Sequence, residues 1–212
     1  AKGIGRACAR IFAQEGCKLA ICGRTMSKLE DIQREFQSEG YELFTQQADV
    51  SKISELECFA ANVHSHYGRI DIWINNAAVN KIQDLMDFDE AQWDEIMDTN
   101  LKAAFFGCKT AANYMMKDGG GVIINASSFA ALIPNAGRAV YSASKSALLS
   151  LTRTLAAELA PHKIRVMAFI PGSLALLSFP LEKLQKKSAS KIMRGFSLAS
   201  SVVVALLSVG IL

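Results

Sequence analysis

Residues Ser127 to Lys145 read S-S-F-A-A-L-I-P-N-A-G-R-A-V-Y-S-A-S-K, and the rest of the chain is organised around them. The two serines close a short apolar run, Val122 to Ala126, of the kind that forms a buried strand. Tyr141 and Lys145 stand four positions apart in a segment, Ala139 to Leu159, with helical periodicity. That spacing puts phenol and ammonium one turn apart on a single helical face. A cation beside a phenol favours the phenolate, which suits the pair to pass a proton to or from a substrate oxygen near neutral pH. Ser128, at the strand's C-terminal end, is placed to hydrogen-bond the same oxygen. The bland alternative is a surface Tyr and Lys on an ordinary amphipathic helix.

Working outward, the neighbouring motifs shift that balance. Gly3-Ile4-Gly5 opens a helix, Ala48-Asp49-Val50 follows a short strand, and Asn75-Asn76-Ala77-Ala78 closes another. Asn100 to Phe106 reads N-L-K-A-A-F-F, and Ile164 to Gly172 reads I-R-V-M-A-F-I-P-G. In this order and spacing, with the Ser-Ser and Y-S-A-S-K segments between them, these motifs resemble the short-chain dehydrogenase/reductase family. The resemblance runs from residue 1 to about residue 173. It implies that Tyr141 is the acid/base and that Ser128 orients the substrate oxygen. Lys145 is then the residue that binds the nicotinamide ribose and tunes the phenol. Asn100 would distort its helix and hold a water in a proton relay to the lysine. A buried Asn tied to the sheet is the structural alternative at that position.

The glycines at Gly3 and Gly5 let a backbone approach a diphosphate, and the helix they open offers N–H groups and a favourable dipole. Lys18 to Cys22 is a short apolar strand that ends in Gly23-Arg24. An acid near such a strand end holds ribose hydroxyls, whereas an Arg accommodates a 2′-phosphate. Here Gly23 stands in the acid's place and Arg24 follows, with Lys2 as a further cation, so NADP is expected ahead of NAD. A solvated Arg at a strand end is the alternative. Ser27 to Gly40 reads as an amphipathic helix, Tyr41 to Ala48 as a strand, and Ile70 to Ile74 as another. By the resemblance, Asp49 and Val50 border the adenine. Asp49 is equally suited to N-cap the helix after Ser51. Asn75 is expected to brace the sheet from below, with the cofactor's ribose passing over Ala77 and Ala78. Asn76, Ala77, Pro171 and Gly172 are the remaining cofactor-contacting candidates.

A family member would carry a strand and a T-G pair ahead of the residues seen here, so an N-terminal truncation with the first strand missing is expected. Beyond residue 173 the resemblance fades. Ser173 to Leu177 has no Thr, Lys183 to Arg194 is basic, and Leu198 to Leu212 is almost wholly apolar. Fifteen such residues are short for a membrane span, which needs about 20. A buried helix or strand is therefore expected there ahead of a membrane anchor. One specific possibility is that Val202 to Leu212 acts as a substitute strand in the sheet.

At 212 residues the chain suits one domain with ample apolar content. Its net charge of +3 comes from 23 basic and 20 acidic residues that are scattered, so nucleic-acid binding is not indicated. Cys8, Cys17, Cys22, Cys58 and Cys108 form no C-x-x-C pair and read as reduced core thiols. No metal site is expected.

The fold expected from alternating strand and helix patterns is α/β, a doubly wound parallel sheet of Rossmann type with its strand ends on one rim. Residues 1–173 form the dinucleotide-binding and catalytic domain, and 174–212 form an atypical C-terminal segment. The implied function is hydride transfer between NADP(H) and a carbonyl or secondary alcohol, in a cytoplasmic homodimer or homotetramer. An inactive homologue that serves as a binding module, and membrane attachment through the tail, are the competing readings. 3-Oxoacyl reductases and sugar or polyol dehydrogenases are equally similar, so the substrate is not readable.

Overall fold

The computed structural model describes residues 3–171 and the backbone of residues 202–206. Helix α1 (Gly3–Gln14) leads into strand β1 (Lys18–Gly23), and α2 (Met26–Ser38) into β2 (Leu43–Gln47). Helix α3 (Ile53–Tyr67) precedes β3 (Ile72–Asn75). Then come α4 (Glu90–Met97), a π-helical turn (Asp98–Lys102), α5 (Ala103–Asp118) and β4 (Gly121–Ala126). Helix α6 (Ala139–Leu159), β5 (Ile164–Phe169) and β6 (Val202–Leu206) complete the described elements.

The strands form one parallel sheet in the order β2-β1-β6-β3-β4-β5. Successive side chains on a strand point to opposite faces, and here both faces are covered by helices. Leu19, Ile21, Ile72, Ile74, Val122 and Ile124 face α1 and α2, where they meet Ala9, Phe12, Leu29, Ile32 and Phe36. Ala20, Cys22, Trp73 and Ile123 face the other way, onto Leu56, Phe59, Val63, Ala111 and Met115 of α3 and α5. The same strands thus feed two cores, which explains their unbroken apolar runs. One position is set by close approach: a Cβ on Gly107 of α5 would lie 2.4 Å from Asn75 Oδ1.

The stretch around Asn100, from Glu90 to Asp118, is divided in three. A capping box starts α4, in which Gln92 N–H donates to Asp89 Oδ1 at 2.7 Å and Asp89 N–H donates to Gln92 Oε1 at 3.1 Å. The π turn then widens the helix at Asn100 before α5 resumes.

The central position is held by the C-terminal strand. β6 lies parallel to both neighbours, with Val204 opposite Ala20 of β1 and Trp73 of β3. The substitute-strand expectation is therefore met for Val202–Leu206. Gly172, Lys2, and the expectations for 173–201 and 207–212, lie outside the described residues. The inward ladder edges of β1 and β3 are paired through β6, and buried backbone groups left without such pairing cost about 1–3 kcal/mol each.

Proline at a central strand position removes a ladder donor. At about 3 kcal/mol, and about 2–4 °C per kcal/mol for a domain of this size, Val204→Pro should lower the melting temperature by roughly 6–12 °C. A thermal melt followed by circular dichroism checks this, and an unchanged midpoint would show that β6 is dispensable.

Candidate active site

The C-terminal end of β4 and the first turns of α6 meet at the sheet's rim. Lys145 is only 2% exposed, and its Nζ donates to the carbonyl of Ala126 at 2.8 Å. In return, the Ser127 hydroxyl donates to the carbonyl of Lys145 at 3.0 Å. Strand end and helix are thereby stitched in both directions. Tyr141, one turn back, is half-buried, with its ring centroid 5.9 Å from Nζ. Burial of the ammonium pulls the Lys145 pKa down from 10.5 to about 8. Ser128 follows the stitched strand end. Its hydroxyl accepts from Ala130 N–H at 3.2 Å and caps the short turn Phe129–Ala131, which Ser146 holds through a 3.0 Å bond to Ala131 O.

Asn100 sits in the π turn and is 1% exposed. Its amide donates to Val79 O at 2.9 Å and to Ser144 Oγ at 3.1 Å, while Oδ1 accepts from Val79 N–H at 2.8 Å. The helix distortion expected there is present, and the side chain is buried, tied to the segment past β3 and to α6 rather than to the sheet. Both amide protons of the side chain are engaged.

A second polar network lies beneath. Asn75 accepts from Trp73 Nε1 at 2.8 Å and donates to Asn125 Oδ1 at 2.8 Å. Asn125 donates onward to Thr152 Oγ1 at 2.9 Å, and Thr152 donates to Leu148 O at 2.7 Å. This joins β3 and β4 to α6, as expected of Asn75 alone. Asn125, Thr152, Ser127 and Ser144 were not among the sequence candidates. A signal was available for Asn125, a lone polar residue in the apolar run Val122 to Ala126, because buried polar groups are retained with partners; Ser127, Ser144 and Thr152 stand among other polar residues and carried none.

At the other end of the rim, Arg24 is exposed just past β1, and its carbonyl accepts from Gln47 Nε2 at 2.9 Å. Arg24, Gln47, Asp49, Lys52 and Glu55 line an open cleft of about 420 Å³. Asp49 does not cap α3. Lys52 holds the cap position without a side-chain bond, while Asp49 Oδ1 accepts from Ser51 N–H at 3.1 Å and Ser51 Oγ at 2.8 Å. The carboxylate closes a local turn instead, because a partner two residues on is nearer than the helix's first N–H groups. Glu55 accepts the Asp49 N–H at 2.7 Å, and that bond, with Lys52 beside it, holds the Glu55 carboxyl below its usual range. Val50 is buried. Gly3 adopts φ +68° at the head of α1, a conformation that favours glycine, with Ile4 exposed and Gly5 buried behind it. Asn76 and Ala77 are half-buried just past β3, and Pro171 lies just past β5.

The cysteine expectation needs one correction. Cys17, Cys22 and Cys108 are buried, and desolvation raises their thiol pKa values, to about 11 for Cys17 and about 12 for Cys108. Cys58 is exposed on the outer face of α3, near Asn62, and is no core thiol. Among the described residues no three His, Cys, Asp or Glu side chains gather where they could hold a metal ion.

The fold meets its counterpart in known proteins. The sequence model described as short chain dehydrogenase matches residues 1–179. The chain belongs to the short-chain dehydrogenase/reductase family. Among its relatives, a dehydrogenase/reductase SDR family member 4 from Pongo abelii is 40% identical over 171 residues, covering 80% of this chain and 62% of the relative. A 3-oxoacyl-(acyl-carrier-protein) reductase of Staphylococcus epidermidis is 37% identical over 172 residues, covering 81% of this chain and 70% of that enzyme. The chain thus spans less than two thirds of the first relative's length. Among solved structures, a metagenomic short-chain oxidoreductase in complex with NADP superposes with a TM-score of 0.82 at 30% identity. That likeness covers 100% of this chain and 94% of the other. A putative short-chain alcohol dehydrogenase from Sinorhizobium meliloti gives a TM-score of 0.79 at 32% identity, covering 89% of this chain and 75% of that one. The family comprises NAD(P)-dependent oxidoreductases. Its fold, a parallel sheet between two helical layers, is the fold described above.

Proposed function

We propose that this chain binds NADP(H) along the rim and transfers a hydride between it and a small carbonyl or secondary alcohol. The observation that carries this reading is the buried Lys145 ammonium, held against the end of β4 with Tyr141 one turn away. Residues 1–173 form the catalytic unit, with β6 contributed to the same sheet from the segment 174–212.

The residues present fit a nicotinamide dinucleotide. An exposed cation, Arg24, stands at the β1 end where a 2′-phosphate would lie, with Asp49 and Val50 on the adenine side. Gly3, Ile4 and Gly5 open α1 for the diphosphate, while Asn76, Ala77 and Pro171 border the ribose and nicotinamide. The nicotinamide, when bound, supplies or accepts the hydride. In reduction, Ser128 and Tyr141 hydrogen-bond the carbonyl oxygen, and the phenol gives it a proton as negative charge develops there. The Lys145 ammonium stabilises the phenolate that remains and donates to the ribose. Oxidation of an alcohol runs the same proton path backwards, with Tyr141 as the base. Asn100 completes the proton relay to Lys145, as the resemblance implies, and its side-chain bonds hold the surrounding elements in register for these steps.

Assembly as a homodimer or homotetramer is part of the proposal. It is supported by an apolar groove of about 680 Å³ along α5 and α6, where Phe105 is 41% exposed beside Leu101 and Leu151. A cytoplasmic location is proposed with it. Among the described residues no helix is long and apolar enough to cross a membrane.

Three outcomes follow from these roles. Tyr141→Phe should abolish carbonyl reduction while NADPH binding, read by fluorescence, persists; turnover within a few-fold of the parent would remove Tyr141 from the mechanism. Lys145 has a folded pKa below its unfolded value, so in the folded protein it loses its charge as pH rises through about 8. NADPH affinity should therefore weaken above about pH 8 in the parent and be weak and flat with pH in Lys145→Met. A parent dissociation constant unchanged from pH 6.5 to 9.5 would take the ammonium out of cofactor binding. A charge-assisted contact contributes roughly 1.5–3 kcal/mol, so Arg24→Ala should cost about 10- to 100-fold in preference for NADP over NAD. A parent that already prefers NAD would overturn that assignment.

A further inference from the structure

Tyr141 is the third residue of α6. The first turn of a helix lacks intrahelical acceptors for its N–H groups and frays unless a cap or tertiary contact holds it. Arg138, at the cap position, makes no side-chain cap bond. The phenol proposed to deliver the proton thus stands on the least self-supported turn of its helix. Something else has to fix it, since a displacement of about 1 Å at a reacting group costs on the order of 100-fold in rate.

We propose that Ser144 is the positioning residue that does so. This rests on Tyr141 being the acid/base. Ser144 is fully buried, and its hydroxyl donates to the main-chain carbonyl of Tyr141 at 2.7 Å. The same oxygen accepts from Asn100 Nδ2 at 3.1 Å. Asn100 is locked in turn by the paired bonds to Val79 N–H and Val79 O, on the segment that leaves β3. A continuous line of hydrogen bonds therefore runs from the sheet's rim, through the π turn, to the backbone that carries the phenol. Lys145 is anchored separately, by Ala126 O and the Ser127 hydroxyl. The two functional residues of α6 consequently have independent supports, and removing the Ser144 hydroxyl loosens one of them. It also leaves one Asn100 amide proton buried without its acceptor.

Ser144→Ala should lower kcat by about 10- to 100-fold, with NADPH affinity unchanged within about two-fold because Lys145 keeps its own anchor. Ser144→Cys, which keeps a weak donor of similar size, should recover part of the loss. Adding Asn100→Ala to Ser144→Ala should cost much less than Asn100→Ala costs alone, since both act on one line. Amide exchange of residues 139–142, followed by mass spectrometry, should accelerate by about ten-fold in Ser144→Ala while α5 is unaffected. The proposal is overturned by a kcat within about two-fold of the parent, or by equal losses in kcat and cofactor affinity, which would signal a general loosening of α6. Unchanged exchange at 139–142 overturns it whether or not the parent turns over. A parent without carbonyl reductase activity would instead refute the proposed function, and the exchange measurement would still decide the brace.

Discussion

A charged lysine held almost wholly out of water is the constraint on which the rest of the site depends. An ammonium buried this deeply is stable only with acceptors brought to it. Here the acceptor is the carbonyl of Ala126, the last residue of β4. The bond obliges α6 to cross the strand end at one height and one rotation, and the Ser127 hydroxyl returning to Lys145 O removes the remaining slack. With Lys145 placed, helical geometry places Tyr141 a turn away and Ser128 two residues beyond the anchoring carbonyl. The incomplete compensation shows in the lysine's pKa, drawn down to about 8 by desolvation.

Below this junction the helices are aligned by amides and hydroxyls that never reach the rim. Trp73, Asn75, Asn125 and Thr152 form a buried chain across β3, β4 and α6. Apolar packing alone is tolerant of small rotations, whereas a buried amide with two partners is not, because any slip leaves a donor unpaired. Gly107 belongs to the same arrangement, since only its lack of a Cβ lets α5 lie against Asn75. The π turn serves a similar end on the other side of α6. It interrupts helix regularity at Asp98–Lys102, where Asn100 is buried.

The sheet's centre poses a different physical problem. β1 and β3 each present a row of inward backbone groups, and both rows are met by Val202–Leu206. Chain order is therefore unlike spatial order at the one position that touches both halves of the fold. The rim that carries Gly3, Arg24, Asn76 and Lys145 is continuous only because this strand bridges it.

Much of this was legible in the sequence. Alternating apolar strands and amphipathic helices specify a parallel α/β sheet, because side-chain periodicity is a local property that needs no knowledge of partners. The Tyr141–Lys145 spacing, the Ser-Ser pair behind a strand and the glycines that open α1 are local in the same sense, and each lies where its pattern implied. What only tertiary structure decided concerns partners distant in sequence. Nothing near Asp49 tells whether its carboxylate caps α3 or closes a turn on Ser51, and the short reach to Ser51 won. Nothing near Asn100 names Val79 and Ser144 as its partners, and Cys58 could not be told from its buried counterparts without the packing around α3. The run V-V-V-A-L is equally compatible with a buried helix or a strand, and its place between β1 and β3 is set by backbone hydrogen bonds to segments far away in the chain. Periodicity determines which face of an element is apolar; only the folded chain determines what that face, and the ladder beside it, will meet.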